Sequence, residues 1–219
     1  AIRDRDILRI LVMLGRRVRL VRFDRALVMG VDVMGDRPML RRLREREPGM
    51  TVRAVGPEAH ELLRVTFPFH AARYPARFER GDACLLVESG GAPAAMGWIR
   101  FRKAGGIDEL GCLLELPEDA CWGHDTYVLP PFRARGAFAV LMWELFERLK
   151  ARGVRVMYAS IAWENSESRA SHGRLGYTTA LVLDRLNAGG IRFYRLTSPG
   201  SSGVWRRPGA GRAPQWRLT

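Results

Sequence analysis

The chain has 219 residues, 47% of them hydrophobic and 27% charged, which is typical of a globular protein with one sizeable core. Its three cysteines, Cys84, Cys112 and Cys121, have no CxxC spacing, which argues against a disulfide framework and predicts a cytoplasmic protein. The purest apolar run near the start, Ile10–Leu14, is too short to span a bilayer.

The formal net charge of +13 is concentrated at the two ends of the chain. Residues 1–47 contain 13 Arg against 7 acidic residues, and residues 198–219 contain 4 Arg and no acidic residue. The middle of the chain carries only a small surplus of positive charge. This distribution argues against a basic nucleic-acid groove built into the core.

The sequence divides into three zones, the first of which is an Arg-rich N-terminal extension, residues 1–47. A helix is predicted from about Asp4 to Leu20, followed by a strand in VRFDRALVMGVDV. One face of the predicted helix is apolar and consists of Ile7, Leu11, Leu14 and Val18. The apolar face predicts packing against the core. The alternative is that the helix lies on an anionic membrane surface, held there by its arginines.

The second zone, residues 48–197, has the alternation of an α/β domain. Strands are predicted in MTVRAV, ACLLVESGGAPAAMGWIRF, HDTYVL, VRVMYASIAW and TTALVLDRLNAGGIRFYRL, the second and last of these as strand pairs. Helices are predicted in GPEAHELLRVTF, in FHAARYPARFERG with a break at Pro75, in Ala137–Arg152, and in ENSESRASHGRLG. The third zone, residues 198–219, is rich in Pro, Gly and Ser and is predicted to be a short basic tail.

The stretch YVLPPFRARGAFAVLMWELFERLKARG, residues 127–153, runs from a strand into an amphipathic helix. The first amides of a helix lack intrahelical partners and lie at the positive end of its dipole, so an anion is their natural ligand. Gly136 lets the backbone approach an anion, and Arg133 and Arg135 add donors suited to phosphate. No Walker-type Lys and hydroxyl follow, so no magnesium-nucleotide site is implied. A solvated turn is an equal alternative on this stretch alone.

A second stretch, IAWENSESRASHGRLGY, places a set of polar residues and a glycine at fixed spacing after a strand. Together the two stretches resemble the GNAT superfamily of acyl-CoA-dependent N-acyltransferases. The loop signature of that superfamily, V-x-P-x-x-R-x-x-G-x-G/A, is matched by Val128, Pro130, Arg133 and Gly136. Its later signature, N-x-x-A-x-x-x-Y-x-x-x-G-F, is matched by Asn165, Ser168, His172, Gly176 and Tyr177. Two positions depart from the pattern: Phe138 stands where a small residue is usual, and His172 where a tyrosine is usual.

The resemblance covers roughly residues 50–197 and implies a GNAT-type α/β (α+β) fold with a mixed, strongly twisted central sheet flanked by helices. Two neighbouring strands of such a sheet separate at one end to admit pantetheine. The resemblance implies that backbone groups of Val128 and Leu129 pair with the pantetheine amides. It implies a pyrophosphate site at the amides of Arg133, Ala134, Arg135, Gly136, Ala137, Phe138 and Ala139, and Asn165 joins the predicted coenzyme-binding residues. The implied cosubstrate is acetyl-CoA or another acyl-CoA, and no metal is implied.

The resemblance also implies direct attack of an acceptor amine on the thioester, without a covalent acyl-enzyme. His172 occupies the position of the usual acid and is predicted to protonate the departing thiolate; the alternative is a helix-surface residue with no role. His124 lies four residues before Val128, so strand alternation places both on one face, and His124 is predicted to act as a base through ordered water. The alternative for His124 is a histidine that is merely hydrogen-bonded. The same alternation predicts that Asp125 points the other way.

The function predicted first is therefore N-acyl transfer, most simply N-acetyl transfer, to a primary amine on a small molecule or a lipid-linked acceptor. One alternative is a GNAT domain that binds acyl-CoA without turnover. Another is a basic protein that binds a membrane surface at the inner face or a nucleic acid. Cys112, Cys121 and His124 do not have the spacing of a tight metal chelate. The sequence does not fix the acyl length or the oligomeric state, and it leaves a dimer open.

Overall fold

The computed structural model of the chain describes residues 21–101, 104–107, 110–208 and 215–218. The predicted N-terminal helix and its membrane alternative fall outside these residues. The chain divides into two compact units, one formed by residues 32–105 and 116–158 and the other by residues 1–31, 106–115 and 159–219. No helix among the residues described has both the length and the apolar character that crossing a membrane requires.

The structure combines β-strands and α-helices along the whole described chain. The strands are β1 (Val21–Asp32), β2 (Met50–Val55), β3 (Ala83–Ser89), β4 (Ala92–Arg100), β5 (Ala104–Ile107), β6 (Cys112–Glu115), β7 (Ala120–Val128), β8 (Val156–Ala162), β9 (Thr178–Ala188), β10 (Ile191–Thr197), β11 (Trp205–Arg206) and β12 (Gln215–Arg217). The helices are α1 (Pro38–Arg46), α2 (His60–Thr66), α3 (Tyr74–Glu79), α4 (Ala137–Ala151) and α5 (Ser166–Arg174). Short 3-10 turns occur at Pro57–Ala59, Ala71–Arg73 and Pro130–Phe132.

The unit of residues 32–105 and 116–158 is built on an antiparallel sheet in the order β7, β4, β3, β2. Helix α4 packs on one face of this sheet, where Gly97 leaves room for Leu141: a Cβ at Gly97 would lie 3.3 Å from Leu141 Cδ2. Because side chains alternate along a strand, the neighbouring Trp98 faces the opposite side. There it joins a buried cluster with Phe67 and Tyr74, whose ring stacks on Trp98 at 5.4 Å.

The other unit contains a second antiparallel arrangement, in the order β11, β10, β9, β1. Asp184 on β9 is buried, and it accepts hydrogen bonds from Arg25 on β1 and Arg195 on β10. These ion pairs tie three strands together. Strand β12 pairs in parallel with β6. The segment predicted to be a tail thus contributes the two short strands β11 and β12.

The secondary structure confirms most of the predicted elements, and Pro75 is a correction. Instead of breaking a helix, Pro75 lies in the first turn of α3. A proline is tolerated there because the amides of the first turn have no acceptor within the helix.

Candidate active site

The predicted anion seat, residues 133–139, lies between β7 and α4 and includes the first turn of α4. Ala134 and Gly136 both adopt left-handed conformations, with φ of 58° and 81°, and α4 begins immediately afterwards. Gly136 is the N-cap, with no side-chain cap and no acidic residue in the first turn of α4. The first intrahelical bond runs from Val140 N to Gly136 O at 2.9 Å. Ahead of it, Arg133 N donates to Pro130 O at 3.2 Å and Arg135 N to Phe132 O at 3.3 Å, so these two predicted anion donors are used within the loop. The amides in the first turn of α4 lie at the helix end, where the dipole favours negative charge.

An anion in this seat would be contacted mainly by main-chain amides. Arg135 is exposed, Ala137 and Ala139 are buried, and Phe138 is half-buried. The main chain of Phe138 lies in the first turn of α4, as that of a smaller residue would. The unusual residue at this position is therefore compatible with an anion held by backbone donors.

The end of β7 has backbone groups that β4 does not use. Leu129 N donates to Ala94 O at 2.9 Å, so the amide and carbonyl of Val128 point away from β4. Arg133 folds back onto this strand end: its Nε donates to Val128 O at 3.3 Å and its Nη2 to the Tyr127 hydroxyl at 3.3 Å. The guanidinium would have to leave the Val128 carbonyl before a pantetheine amide could pair with it.

Glu47 adds a contact to the seat that sequence reasoning missed. It follows α1, and a Cβ built on Gly136 would lie 2.9 Å from Glu47 Cγ and 3.4 Å from Glu47 Oε1. A carboxylate therefore lies beside the amides that the anion would use. The positions are 89 residues apart in sequence, and no local pattern connects them.

His124, predicted to be the base, lies in a buried environment on β7. Its side chain is 13% exposed, and its Nε2 lies 3.6 Å from Asp82 Oδ2, beyond hydrogen-bond distance. Burial, reinforced by the guanidinium groups of Arg77 and Arg100, lowers the pKa of His124 to about 3. A neutral imidazole with such a pKa is a weak base at physiological pH. The catalytic role of His124 stays a prediction.

Asp125 does not follow the strand alternation predicted for it. Its φ is 45°, and the register of β4 with β7 shifts between Met96 and Trp98. The irregularity brings Asp125 to the Arg77 guanidinium, which also acts on His124, so the two consecutive side chains share a neighbour. Strict alternation is therefore a wrong premise at this point of β7, because a bulge redirects the side chains.

A hydrogen-bonded histidine and aspartate occur beside His124. His70 Nδ1 lies 2.9 Å from Asp125 Oδ2, and Arg77 Nη2 donates to the same oxygen. Burial alone would raise the pKa of Asp125, but the Arg77 charge and the hydrogen bonds from His70 and Arg77 outweigh it and lower that pKa. The partner of His70 lies 55 residues away on β7, and nothing in the local sequence around His70 signals it.

Asn165 and His172 lie in the other compact unit, on and before α5. Asn165 is the N-cap of α5, and its Oδ1 accepts from Ser168 N at 3.0 Å. His172 Nδ1 lies 2.8 Å from Ser168 O, so Nδ1 carries a proton that it donates to this carbonyl. In neutral His172 the other nitrogen, Nε2, then has no proton to give. Burial lowers the pKa of His172, which reduces the fraction able to act as an acid. Both predicted roles stay predictions.

Cys84, Cys112 and Cys121 are all buried, and none of them forms a disulfide. Within the described ranges, no group of three or more His, Cys, Asp or Glu side chains has an arrangement that could hold a metal ion.

Comparison with known families gives a match over the region just described. A sequence model of the Acetyltransferase (GNAT) family matches residues 52–177, more than half of the chain. The match includes the β7–α4 loop, the His70–Asp125 pair and all of α5. No curated protein sequence gives a significant match.

Solved structures show the same fold at low sequence identity. A Drosophila protein is 16% identical with a TM-score of 0.50, and the alignment covers 82% of this chain and 59% of that one. A Novosphingobium aromaticivorans protein assigned to the GNAT acetyltransferases is 19% identical with a TM-score of 0.52, over 76% of this chain and 66% of that one. A glucosamine N-acetyltransferase region of a fungal multi-domain β-N-acetylglucosaminidase is 16% identical with a TM-score of 0.55, over 76% of this chain and 21% of that one.

These matches confirm the GNAT-type fold predicted from the two motifs. The chain spans about three fifths of the length of the first of these structures. The predicted separation of two neighbouring strands stays a prediction.

Proposed function

Because the chain belongs to the GNAT acetyltransferase family, we propose that it transfers an acyl group from CoA to a primary amine. Acetyl-CoA is the first donor to test. The proposal rests above all on the seat between β7 and α4, where Ala134 and Gly136 adopt left-handed conformations and the first amides of α4 have no side-chain cap. Such a concave set of amides at a helix N-terminus suits the pyrophosphate of CoA.

The strand end beside this seat supports the same assignment. The amide and carbonyl of Val128 point away from β4, as an added strand-like pantetheine would require. The Arg133 guanidinium moves from the Val128 carbonyl when pantetheine binds, and it then adds positive charge near the phosphates.

The proposed reaction is direct transfer. The amine nitrogen attacks the thioester carbonyl carbon, a C–N bond forms, and the C–S bond breaks. The nitrogen loses two protons when it begins as an ammonium ion: one leaves before attack, and the other leaves as the amide forms. The departing thiolate gains one proton, which His172 is proposed to supply when protonated.

The proposed acceptor is a primary amine carried on a small molecule or a lipid-linked group. Phe69 is 57% exposed, and its ring lies 4.9 Å from that of Tyr127, which precedes the proposed pantetheine-binding residue. An exposed aromatic wall beside the strand end supports an acceptor with an apolar or planar part next to its amine.

A thiol-release assay with the purified chain, acetyl-CoA and a panel of primary amines tests the function. Background from the protein is expected to be low, because its cysteines are buried and burial raises the pKa of Cys84 and Cys121 to about 12. We expect amine-dependent release of CoA and an acylated product by mass spectrometry. Binding of acetyl-CoA by calorimetry without release to any amine would instead support the non-catalytic alternative.

A further inference from the structure

Backbone strain in the described chain is concentrated at the candidate site. Among the residues the structure describes, His70, Asp125 and Ala134 are the non-glycine residues with positive φ, at 62°, 45° and 58°. Ala134 belongs to the anion seat, and the other two are hydrogen-bonded to each other. A left-handed conformation is unfavourable for most non-glycine residues and persists only when surrounding contacts hold it. His70 and Asp125 both have left-handed conformations and are hydrogen-bonded to each other, which indicates that the fold positions them for a functional role.

The pair has the geometry of an oriented imidazole. With Asp125 accepting at 2.9 Å, His70 Nδ1 carries the proton and Nε2 presents a lone pair. Arg77, whose side chain is 2% exposed, binds the same Asp125 oxygen and keeps the carboxylate ionised. The side chain of His70 is 42% exposed, so an acceptor can reach Nε2.

The support beneath the pair is rigid and buried. The Arg77 guanidinium lies 5.3 Å from the Trp98 ring and 5.8 Å from the Tyr74 ring. The Tyr74 hydroxyl donates to Phe69 O at 2.9 Å, immediately before His70. These contacts fix both chain segments from which the pair projects.

The His70–Asp125 pair lies near the proposed coenzyme site, where it could contact the acceptor amine. Asp125 lies three residues before Val128, so the two Cα atoms are at most about 11 Å apart along the strand. Tyr127 connects the two regions, since its ring contacts Phe69 on one side and the Arg133 guanidinium at 5.6 Å on the other. Asp125 and the proposed pantetheine-binding residue Val128 thus lie at two ends of one short stretch of β7, and the anion seat follows that stretch.

We propose that His70 is the general base that deprotonates the acceptor amine, with Asp125 and Arg77 as the residues that position it. This inference rests on the proposed acyl transfer. His70 Nε2 takes a proton from the acceptor ammonium, and the free amine then attacks the thioester. The His70 imidazolium then passes this proton to solvent. The acceptor nitrogen loses its second proton as the amide forms, and the thiolate gains one proton, so the numbers of protons lost and gained in this step are equal. His124, with 13% of its side chain exposed, is less accessible to an acceptor than His70.

The first test compares His70→Asn with the wild type in the acetyl-CoA release assay, using an amine that the wild type acylates. Asn tolerates the left-handed conformation, so the variant is expected to fold and to bind CoA with unchanged affinity. We expect kcat/KM at pH 7 to fall by about 10²- to 10⁴-fold. The matched control is His60→Asn, on α2, which is expected to keep wild-type activity.

Acceptor basicity gives a readout that a structural role would not change. The deficit of His70→Asn is expected to be large for an amine of pKa about 10 and to shrink for an α-amino group of pKa about 8. It is also expected to shrink as pH rises, because the amine then loses its proton unaided. His70 is hydrogen-bonded to Asp125 on β7, Arg77 on α3 binds the same carboxylate, and Arg73 lies three residues after His70 in the adjoining 3-10 turn. Added imidazole is expected to restore part of the activity of His70→Gly.

The tautomer of His70 can be measured in the wild type without any acceptor. Nitrogen-15 NMR of the imidazole side chains is expected to show Nδ1 protonated and Nε2 unprotonated in neutral His70. The opposite tautomer, or equal rates for the wild type and His70→Asn on every acylated amine, would overturn the base assignment while leaving acyl transfer intact. A wild type that transfers to no amine would overturn the proposed function, and the base assignment would fall with it.

Discussion

The Glu47 side chain brings a negative charge to the place where the proposed pyrophosphate binds. Its Oε1 would be 3.4 Å from a Cβ on Gly136, the N-cap of α4. The carboxylate itself suits the positive end of the helix dipole. When a pyrophosphate arrives, however, the two anions repel each other. Glu47 is therefore expected to weaken CoA binding.

Replacing Glu47 by Gln should strengthen CoA binding because it removes this charge and keeps the shape of the side chain. An interaction of about 1 kcal/mol between charges a few ångströms apart in a wet site corresponds to a Kd about five-fold lower. The gain should shrink as salt is added, since ions screen an exposed pair. Titration calorimetry at two ionic strengths measures both effects. Glu45→Gln makes the same change of charge at an exposed position of α1 and should leave the Kd for CoA unchanged. A Kd for Glu47→Gln equal to that of the wild type would contradict the placement of pyrophosphate beside Glu47.

At the scale of elements, α4 offers a matched pair of glycines at its two ends. Gly136 has φ of 81° at the N-terminus, and Gly153 has φ of 73° just beyond the C-terminus. A Cβ at Gly136 would meet Glu47 Cγ at 2.9 Å, whereas a Cβ at Gly153 would meet nothing within 4 Å. The two positions share a left-handed conformation that glycine adopts without strain, and they differ in their relation to the proposed site.

Gly136→Ala and Gly153→Ala should each destabilise the fold by about 1–2 kcal/mol through the left-handed conformation. Only Gly136→Ala should also lose CoA affinity, by at least about ten-fold, because its methyl group shifts the amides of the seat. Urea denaturation measures the first effect and calorimetry with CoA the second. If both variants bound CoA like the wild type, the seat would not be the pyrophosphate site.

The elements that local sequence determines were predicted well. The apolar stripe of α4 and Gly153 predicted its bounds to within one residue. The anion seat that the family signature indicates before this helix stays a prediction. Asn165 at the start of α5 is likewise the kind of N-cap that local chemistry favours. In these places the residues that decide the structure are neighbours in sequence.

The parts that escaped prediction depend on distant contacts. The bulge at Asp125 is held by Arg77 and His70, which lie 48 and 55 residues away. Strand β11 forms because β10 offers an edge, although its own sequence is Pro-, Gly- and Ser-rich like a tail. The left-handed conformation of Asp125 and the pairing of β11 with β10 form only in the assembled fold. The periodicity of a single segment therefore cannot predict them.

At the scale of the whole molecule, stability should depend on pH through two histidines buried in the neutral form. Burial lowers the pKa of His124 to about 3, with Arg77 and Arg100 adding to the effect, and burial lowers the pKa of His172 in the other unit. The unfolded chain titrates these histidines at about 6.5. Below that pH the unfolded state binds protons that the folded state does not, so acid favours unfolding.

The free energy of unfolding of the wild type should therefore be constant near pH 8 and fall as pH drops below about 6.5. Each histidine kept neutral contributes a slope of about 1.4 kcal/mol per pH unit in this range. His124→Leu removes one such group, so its stability should fall by about 1.4 kcal/mol less than that of the wild type for each unit below pH 6. Urea denaturation at pH 8, 6 and 5 measures the difference. Parallel curves for the two proteins over the whole range would show that His124 is protonated in the fold, in contradiction to its buried neutral state.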